Sequence, residues 1–123
     1  IPVKNQPYRM TMLFDFYGDI LTERQRELFD LYYNEDLSLA EIAENCGISR
    51  QGVRDVIVRA EAAMNELEDK TGLLKRFMRM QDSVDAIVAA ANEIKTINYR
   101  QYENHRLEEL ADSIIAGAGV LKE

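Results

Sequence analysis

The sequence predicts an all-α protein in which a helix-turn-helix is followed by a C-terminal helical hairpin. Thr22 stands three residues before Gln25, and Ser38 three before Glu41, so each pair can form a capping box at the start of a helix. Beyond Gly72, apolar residues recur at alternating spacings of three and four, the heptad pattern of packed helices. These three features together indicate the fold class.

The helix-turn-helix is predicted over residues 22–64, and its second helix begins at the second capping box. Apolar residues recur at helical spacing up to Cys46, and Gly47 can end that helix in a left-handed conformation. Ala43 offers the small side chain that two steeply crossing helices need at their contact. Ser49 then caps a helix in the position of a recognition helix. The inward residues of that helix are Val53, Ile57, Ala60, Met64 and Leu67.

Two helices are predicted before Ser38, and the second of them is the first helix of the motif. Residues 1–7, IPVKNQP, have two prolines and no periodicity, and we expect them to form an arm. The helix that follows is expected to bury one face formed by Met10, Leu13, Phe14, Tyr17, Ile20 and Leu21. The next helix is expected to bury Leu28, Leu31 and Tyr32, with Tyr33 partly exposed.

The C-terminal part is predicted to be an αα-hairpin after a hinge at Gly72. Two helices with heptad-spaced apolar residues flank KTINYRQYENH, which is long enough to reverse the chain. We place a helix-turn-helix domain at residues 1–70 and the hairpin at 71–123. The hairpin could fold onto its own domain, but one narrow seam per helix favours a homodimer. The predicted dimerisation residues are Leu73, Phe77, Met80, Val84, Ile87, Ile94, Leu107 and Ile114.

A long segment resembles a known family. The residues RMTMLFDFYGDILTERQRELFDLYYNEDLSLAEIAENCGISRQGVRDVIVRAE, which begin at Arg9, closely resemble the YlxM family of small bacterial proteins, and their helix-turn-helix part is similar to the promoter-contacting fourth region of sigma factors. The resemblance implies a sigma-like helix-turn-helix and a regulatory part in the signal recognition particle pathway. Gly52 and Val58 stand where the family pattern has alanine and lysine. A standalone sigma factor is disfavoured because only that one region is matched.

The composition is that of an acidic globular protein. The 123 residues carry a formal charge of −7, and no apolar run approaches the roughly 20 residues of a membrane span. The single cysteine, Cys46, cannot form an intramolecular disulfide, which fits a cytoplasmic location. An acidic body opposes binding to phosphates. Between residues 49 and 60, however, Arg50, Arg54 and Arg59 face only Asp55, which leaves a small basic stripe.

That stripe predicts a nucleic-acid interface on the recognition helix. Gln51 and Arg54 are side chains of the types that pair with adenine and guanine in the major groove. Ser49 and Arg50 near the helix N-terminus, and Arg59 further along, are expected to contact phosphates of DNA or RNA.

A protein-docking surface is the alternative. Val58 and Ala62 form an outward apolar patch bordered by arginines, which could bind a partner such as a component of the signal recognition particle. The helix-turn-helix would then serve as a scaffold.

The residues do not indicate an enzyme. His105 is the only histidine and has no cysteine or histidine beside it to make a metal site. The carboxylates lie on turns and outer helix positions, and we see neither a phosphate-binding loop nor a nucleophile motif. We therefore expect no catalytic residues, no metal and no cofactor.

Overall fold

The computed structural model of the protein describes residues 7–122. The arm predicted for residues 1–7 lies, apart from Pro7, outside this range. The helices are α1 (Pro7–Tyr17), α2 (Glu23–Tyr33), α3 (Leu39–Cys46), α4 (Arg50–Thr71), α5 (Leu73–Ile97) and α6 (His105–Leu121). A 3-10 turn, Gly18–Ile20, follows α1, and a π-helical turn, Asn98–Tyr102, follows α5. The described residues contain no strand, so the predicted all-α class is confirmed.

The chain divides into two compact units after Leu74. The first unit holds α1 to α4, and α4 packs against each of the other three helices. The hairpin unit, from Lys75 onward, holds the rest of α5 and all of α6.

Side-chain caps start the helices of the first unit as the sequence predicts. Thr22 Oγ1 accepts the Gln25 N–H at 3.1 Å and Ser38 Oγ accepts the Glu41 N–H at 3.1 Å, while both longer side chains bond back to the cap N–H. Gly47 ends α3 with φ of 68°, in the left-handed region. A Cβ at Gly47 would meet nothing within 4 Å, so the backbone angle and not the space requires glycine.

The core of the first unit is made of large side chains from all four helices. Phe29 is completely buried and stacks on Phe14, with ring centroids 4.8 Å apart. The fully buried residues of this core include Met10, Leu13, Leu28, Ile42, Val53 and Met64. The inward face predicted for α4 is therefore the face that packs.

Two sequence expectations in this unit were wrong. Ile20 is 53% exposed, because the 3-10 turn after Tyr17 breaks the α-helical period and turns this side chain outward. Tyr33 is buried, with its ring 4.5 Å from that of Phe29. A tyrosine can be buried there because its hydroxyl finds an acceptor on Glu61 of α4.

A buried polar network ties the end of α1 to the end of α4. The Tyr17 hydroxyl donates to Glu68 Oε1 at 2.7 Å and lies 2.6 Å from the Thr71 hydroxyl. The same Glu68 oxygen accepts the Leu74 N–H at 2.9 Å. Burial raises the pKa of the Tyr17 hydroxyl. Gly72, with φ of 61°, ends α4 inside this network and produces the break that the sequence predicts there.

The hairpin unit has a much smaller interior. Its buried residues lie seven apart on each helix: Val84, Ala91 and Asn98, then Ala111 and Ala118. Asn98 connects the two sides of the hairpin at its tip. Its side chain donates to the Asn104 carbonyl at 2.8 Å and accepts the Asn104 N–H at 2.9 Å.

Ion pairs along the hairpin confirm that α5 and α6 run antiparallel. Lys95 lies 2.7 Å from Asp112 and 3.4 Å from Glu108, and its pKa is raised by its bonds to these carboxylates. At the open end, Lys122 pairs with Asp85.

Candidate nucleic-acid interface

The outward side of α4 forms the candidate interface. Because Val53 and Ile57 are buried, a rotation of about 100° per residue leaves a row along the outer midline of the helix. This row consists of Gln51, Asp55, Val58 and Ala62, all exposed. Arg54 lies on one flank of the row and Arg59 on the other, both exposed. All the residues that the sequence singles out on α4 are therefore accessible.

The N-terminus of α4 presents a hydroxyl and an arginine together. Ser49 Oγ accepts the Gly52 N–H at 2.9 Å, which leaves its own O–H free to rotate toward a ligand. Arg50 is the first helical residue and is exposed. The positive end of the helix dipole adds to this local positive potential.

An internal hydrogen bond engages the two polar side chains of the midline. Gln51 Nε2 donates to Asp55 Oδ1 at 2.9 Å, one helical turn away. Binding an adenine edge through Gln51 requires this amide to reorient or to keep one donor on Asp55. Asp55 therefore restrains the amide and also places a negative charge at the centre of the surface.

The positive charge of Arg54 acts on Glu61, a half-buried residue of α4. Burial raises the pKa of the half-buried Glu61 carboxyl, while the Tyr33 hydroxyl bond and the Arg54 charge lower it in part. Burial also raises the pKa of Tyr33, with the Glu61 charge acting in the same direction. Neither Glu61 nor Tyr33 was predicted from the sequence to act on this surface. The only signal was that Glu61 follows Arg54 by seven residues and so lies on the same side of the helix.

The structure shows the surroundings of Gly52 and Val58, the two residues that depart from the family pattern. A Cβ on Gly52 would come within 3.1 Å of Ser49 Oγ, so alanine here requires the capping hydroxyl to shift by a few tenths of an ångström. Val58 is 48% exposed. A lysine at this position would have added a positive charge to the midline, whereas valine gives the midline an apolar centre.

The neighbouring surface is acidic. Glu41 and Glu44 are exposed on α3, the helix that precedes the recognition helix. They would lie near the phosphates that a helix-turn-helix crosses. The basic stripe is thus confined to α4.

The predicted dimerisation residues fall into three groups. Val84 is only 1% exposed and belongs to the inward row of the hairpin, and Phe77 is half-buried. The exposed members are Leu73, Met80, Ile87, Ile94, Leu107 and Ile114. Their role in dimerisation stays a prediction.

Residues 7–122 bear on two further predictions, a metal site and a membrane span. Within that range no cluster of three or more histidine, cysteine or carboxylate side chains could hold a metal ion. His105 is largely exposed, with its Nε2 3.0 Å from Glu109 Oε1. None of the described helices is long and apolar enough to cross a membrane.

The capped α3, the Gly47 corner and the exposed arginine-bearing side of α4 define a helix-turn-helix protein. The chain belongs to the family of YlxM/p13-like helix-turn-helix proteins, UPF0122, whose family model matches residues 4–112. The family membership inferred from the segment beginning at Arg9 is thereby confirmed.

Bacterial relatives agree with this assignment over most of the chain. A UPF0122 protein of Acetivibrio thermocellus is 37% identical over 113 residues, which cover 86% of this chain and 97% of that protein. A UPF0122 protein of Bacillus thuringiensis is 42% identical over 106 residues, 86% of this chain and 91% of the relative. One from Thermoanaerobacter sp. strain X514 is 50% identical over 78 residues, 63% of this chain and 67% of the relative.

Proposed function

We propose that this protein is a cytoplasmic, non-enzymatic regulator that binds nucleic acid through α4. The observation that carries the proposal is the division of this helix into a fully packed inner side and an accessible outer side with Gln51 and Arg54 near its N-terminus. A helix-turn-helix inserts this part of its recognition helix into the major groove. The family membership supports a regulatory role.

Each polar residue has a distinct part in the proposed complex with DNA. Arg54 contacts guanine through two parallel N–H donors, and Gln51 contacts adenine. Ser49 and Arg50 bind phosphate at the helix N-terminus, and Arg59 binds phosphate on the opposite flank. In a homodimer, two such helices about 34 Å apart would match successive major grooves and favour a palindromic site.

The acidic exterior supports selective binding over indiscriminate binding. With a net charge of −7, most of the surface repels phosphates, so affinity must come from the contacts of α4. We propose that Asp55 contributes to this selectivity by restraining Gln51 until a matching base edge replaces it.

The experiment starts from a random-sequence duplex DNA pool, from which the protein enriches its preferred duplex. Binding to that duplex and to the unselected pool is then titrated at several salt concentrations. Arg54→Ala should weaken binding to the enriched duplex by about 1–3 kcal/mol and lower sequence preference. Arg59→Ala should weaken both equally and reduce the salt slope by about one.

The matched control is Arg24→Ala, which removes an exposed arginine on α2 and should leave binding unchanged. Asp55→Asn should raise affinity for the unselected pool, because it removes a negative charge from the interface. Equal binding by the parent, Arg54→Ala and Arg59→Ala would contradict the proposal. A structured RNA pool tested in parallel identifies the type of nucleic acid.

A second candidate function is a protein adaptor. The half-exposed Val58 and exposed Ala62 provide an apolar centre suited to a partner helix, and the acidic body suits a basic partner. The YlxM resemblance makes components of the signal recognition particle the partners to test first. Val58→Asp should then abolish capture of the partner from cell extract, with or without nuclease. Loss of capture after nuclease treatment alone would instead favour nucleic acid.

A further inference from the structure

The hairpin unit leaves one row of large aliphatic side chains uncovered on each helix. On α5 the row comprises Met80, Ile87, Ile94 and Ile97. On α6 it comprises Leu107, Leu110, Ile114 and Leu121. These eight side chains are 38–53% exposed, whereas the residues buried inside the hairpin are mostly alanines. The hairpin therefore buries mainly small side chains and leaves most of its larger aliphatic side chains about half-exposed.

Helical geometry places both rows on the same face. Ile87 and Ile94 lie four positions before the inward residues Ala91 and Asn98. Ile114 likewise lies four positions before the inward residue Ala118. Each row is thus rotated from its inward row by a similar angle in the same sense. Two antiparallel helices are related by a two-fold axis perpendicular to their common plane, so equal rotations bring both rows to one face. We call the eight residues the aliphatic face.

The charged side chains that join the helices lie on the other face. Lys95 follows the inward residue Ala91 by four, Lys122 follows Ala118 by four, and Asp112 follows Ala111 by one. These offsets are opposite in sense to those of the aliphatic face. All eight residues of the aliphatic face are uncharged, and small residues such as Ser83, Ala90 and Gly117 lie beside them. One face thus carries the ion pairs between the helices, and the other carries the eight aliphatic side chains, with Arg76 one turn before Met80 at its open end.

We infer that the aliphatic face binds the same face of a second copy of the chain, so that two hairpins form a four-helix bundle. The face is built equally from two antiparallel helices, and its own approximate two-fold symmetry makes it complementary to itself. Two chains of net charge −7 repel each other, which favours contact through the uncharged centre of this face.

The area of the aliphatic face reaches the lower limit for a specific dimer. Eight half-exposed aliphatic side chains present on the order of 500 Å² per copy, which is at the upper end of the patches found on monomers. Covering both copies, with the small residues between them, buries about 1,000 Å² or more, which reaches the size of a specific interface. This inference deepens the homodimer of the proposed function and specifies its surface.

The test uses the full chain without nucleic acid. Sedimentation equilibrium between about 1 and 100 µM should give a mass near 28 kDa, twice the 14.2 kDa of one chain. Ile87→Glu and, independently, Ile114→Glu should raise the dimer dissociation constant by about 100-fold or more, because each places a charge in both halves of a desolvated contact. Circular dichroism checks that both variants remain helical.

Val120→Glu is the matched control. Val120 is 66% exposed on α6 but follows the inward residue Ala118 by two, on the far side of the helix. This variant should dimerise like the parent. If either glutamate variant unfolds, Ile87→Ala should still weaken the dimer by about tenfold.

Two results would overturn the inference: a monomeric parent chain at 100 µM, or equal dissociation constants for Ile87→Glu and Val120→Glu. Neither result bears on the Arg54→Ala titration, which is scored by DNA affinity. The dimer surface and the nucleic-acid interface can therefore fail separately.

Discussion

The two units of this protein bury apolar surface in different ways. The first unit surrounds Phe29 with large side chains from four helices, and its core residues are almost completely covered. The hairpin unit covers mainly Val84 and three alanines and leaves its larger aliphatic side chains in solvent. A core of this first kind can stabilise a chain alone, whereas a two-helix seam of alanines gains little from burial. We therefore expect the first unit to be stable as a monomer and the hairpin to gain stability from the proposed dimer.

The largest expected effect is on the core of the first unit. Phe29→Ala removes a completely buried ring and its stack with Phe14, and it should lower the free energy of unfolding by about 3–5 kcal/mol. Urea unfolding followed by circular dichroism measures the loss, which should not depend on protein concentration. Tyr8→Ala, at a 72% exposed position of α1, is the control. A loss below about 1 kcal/mol would show that this core is not the main source of stability.

The next largest effect is expected in the buried polar network of Tyr17, Glu68 and Thr71. Glu68→Ala removes the acceptor of both the Tyr17 hydroxyl and the Leu74 N–H, and it should cost about 1–3 kcal/mol. The matched control is Glu66→Ala, which removes only the exposed pair with Lys70 and should cost less than about 0.5 kcal/mol. Equal losses for the two variants would mean that the network adds nothing beyond a surface ion pair.

The packing of the hairpin can be tested at Ala91, one of its buried alanines. Ala91 is 1% exposed, so Ala91→Leu should force α5 and α6 apart and destabilise the hairpin by about 1–3 kcal/mol. Ala89→Leu, at an exposed position of the same helix, should be nearly neutral. Thermal unfolding of each variant gives the comparison. A neutral Ala91→Leu would mean that the interior of the hairpin is loose and that the contrast between the units is larger still.

The smallest effect concerns the pH dependence of the first unit. The pKa of Glu61 is raised in the folded state, chiefly by burial, so folding favours its protonated form. Its contribution to stability is therefore most favourable below its unfolded pKa and declines as pH rises through the raised folded value. Glu61→Gln keeps an acceptor for Tyr33 and should flatten this decline.

Urea unfolding of the parent and of Glu61→Gln between pH 4 and pH 7 measures this difference. The stability of the variant relative to the parent should increase toward pH 7, while Glu44→Gln at an exposed position should not change the profile. A relative loss of stability by Glu61→Gln at pH 7 would show that the attraction of Arg54 outweighs burial.

Much of the first unit follows from local chemistry. Ser38 and Thr22 cap their helices because each needs only a partner three residues away, and Gly47 ends α3 because its own backbone angle allows it. The inward face of α4 follows from the 3.6-residue period for the same reason. Where a non-local contact decided the outcome, prediction failed: Tyr33 is buried because Glu61, on another helix, accepts its hydroxyl.

The sequence by itself determined the helices, their caps, the corner of the motif and the residues on the outer side of α4, because these depend on neighbours within one or two turns. Only the tertiary structure decided which apolar residues of the hairpin are enclosed. Met80, Val84 and Ile87 follow the same heptad spacing, but the antiparallel packing of α5 and α6 covers Val84 and leaves the other two exposed. A heptad pattern specifies a helix face about 100° wide, and the position of the second helix determines which half of that face is buried.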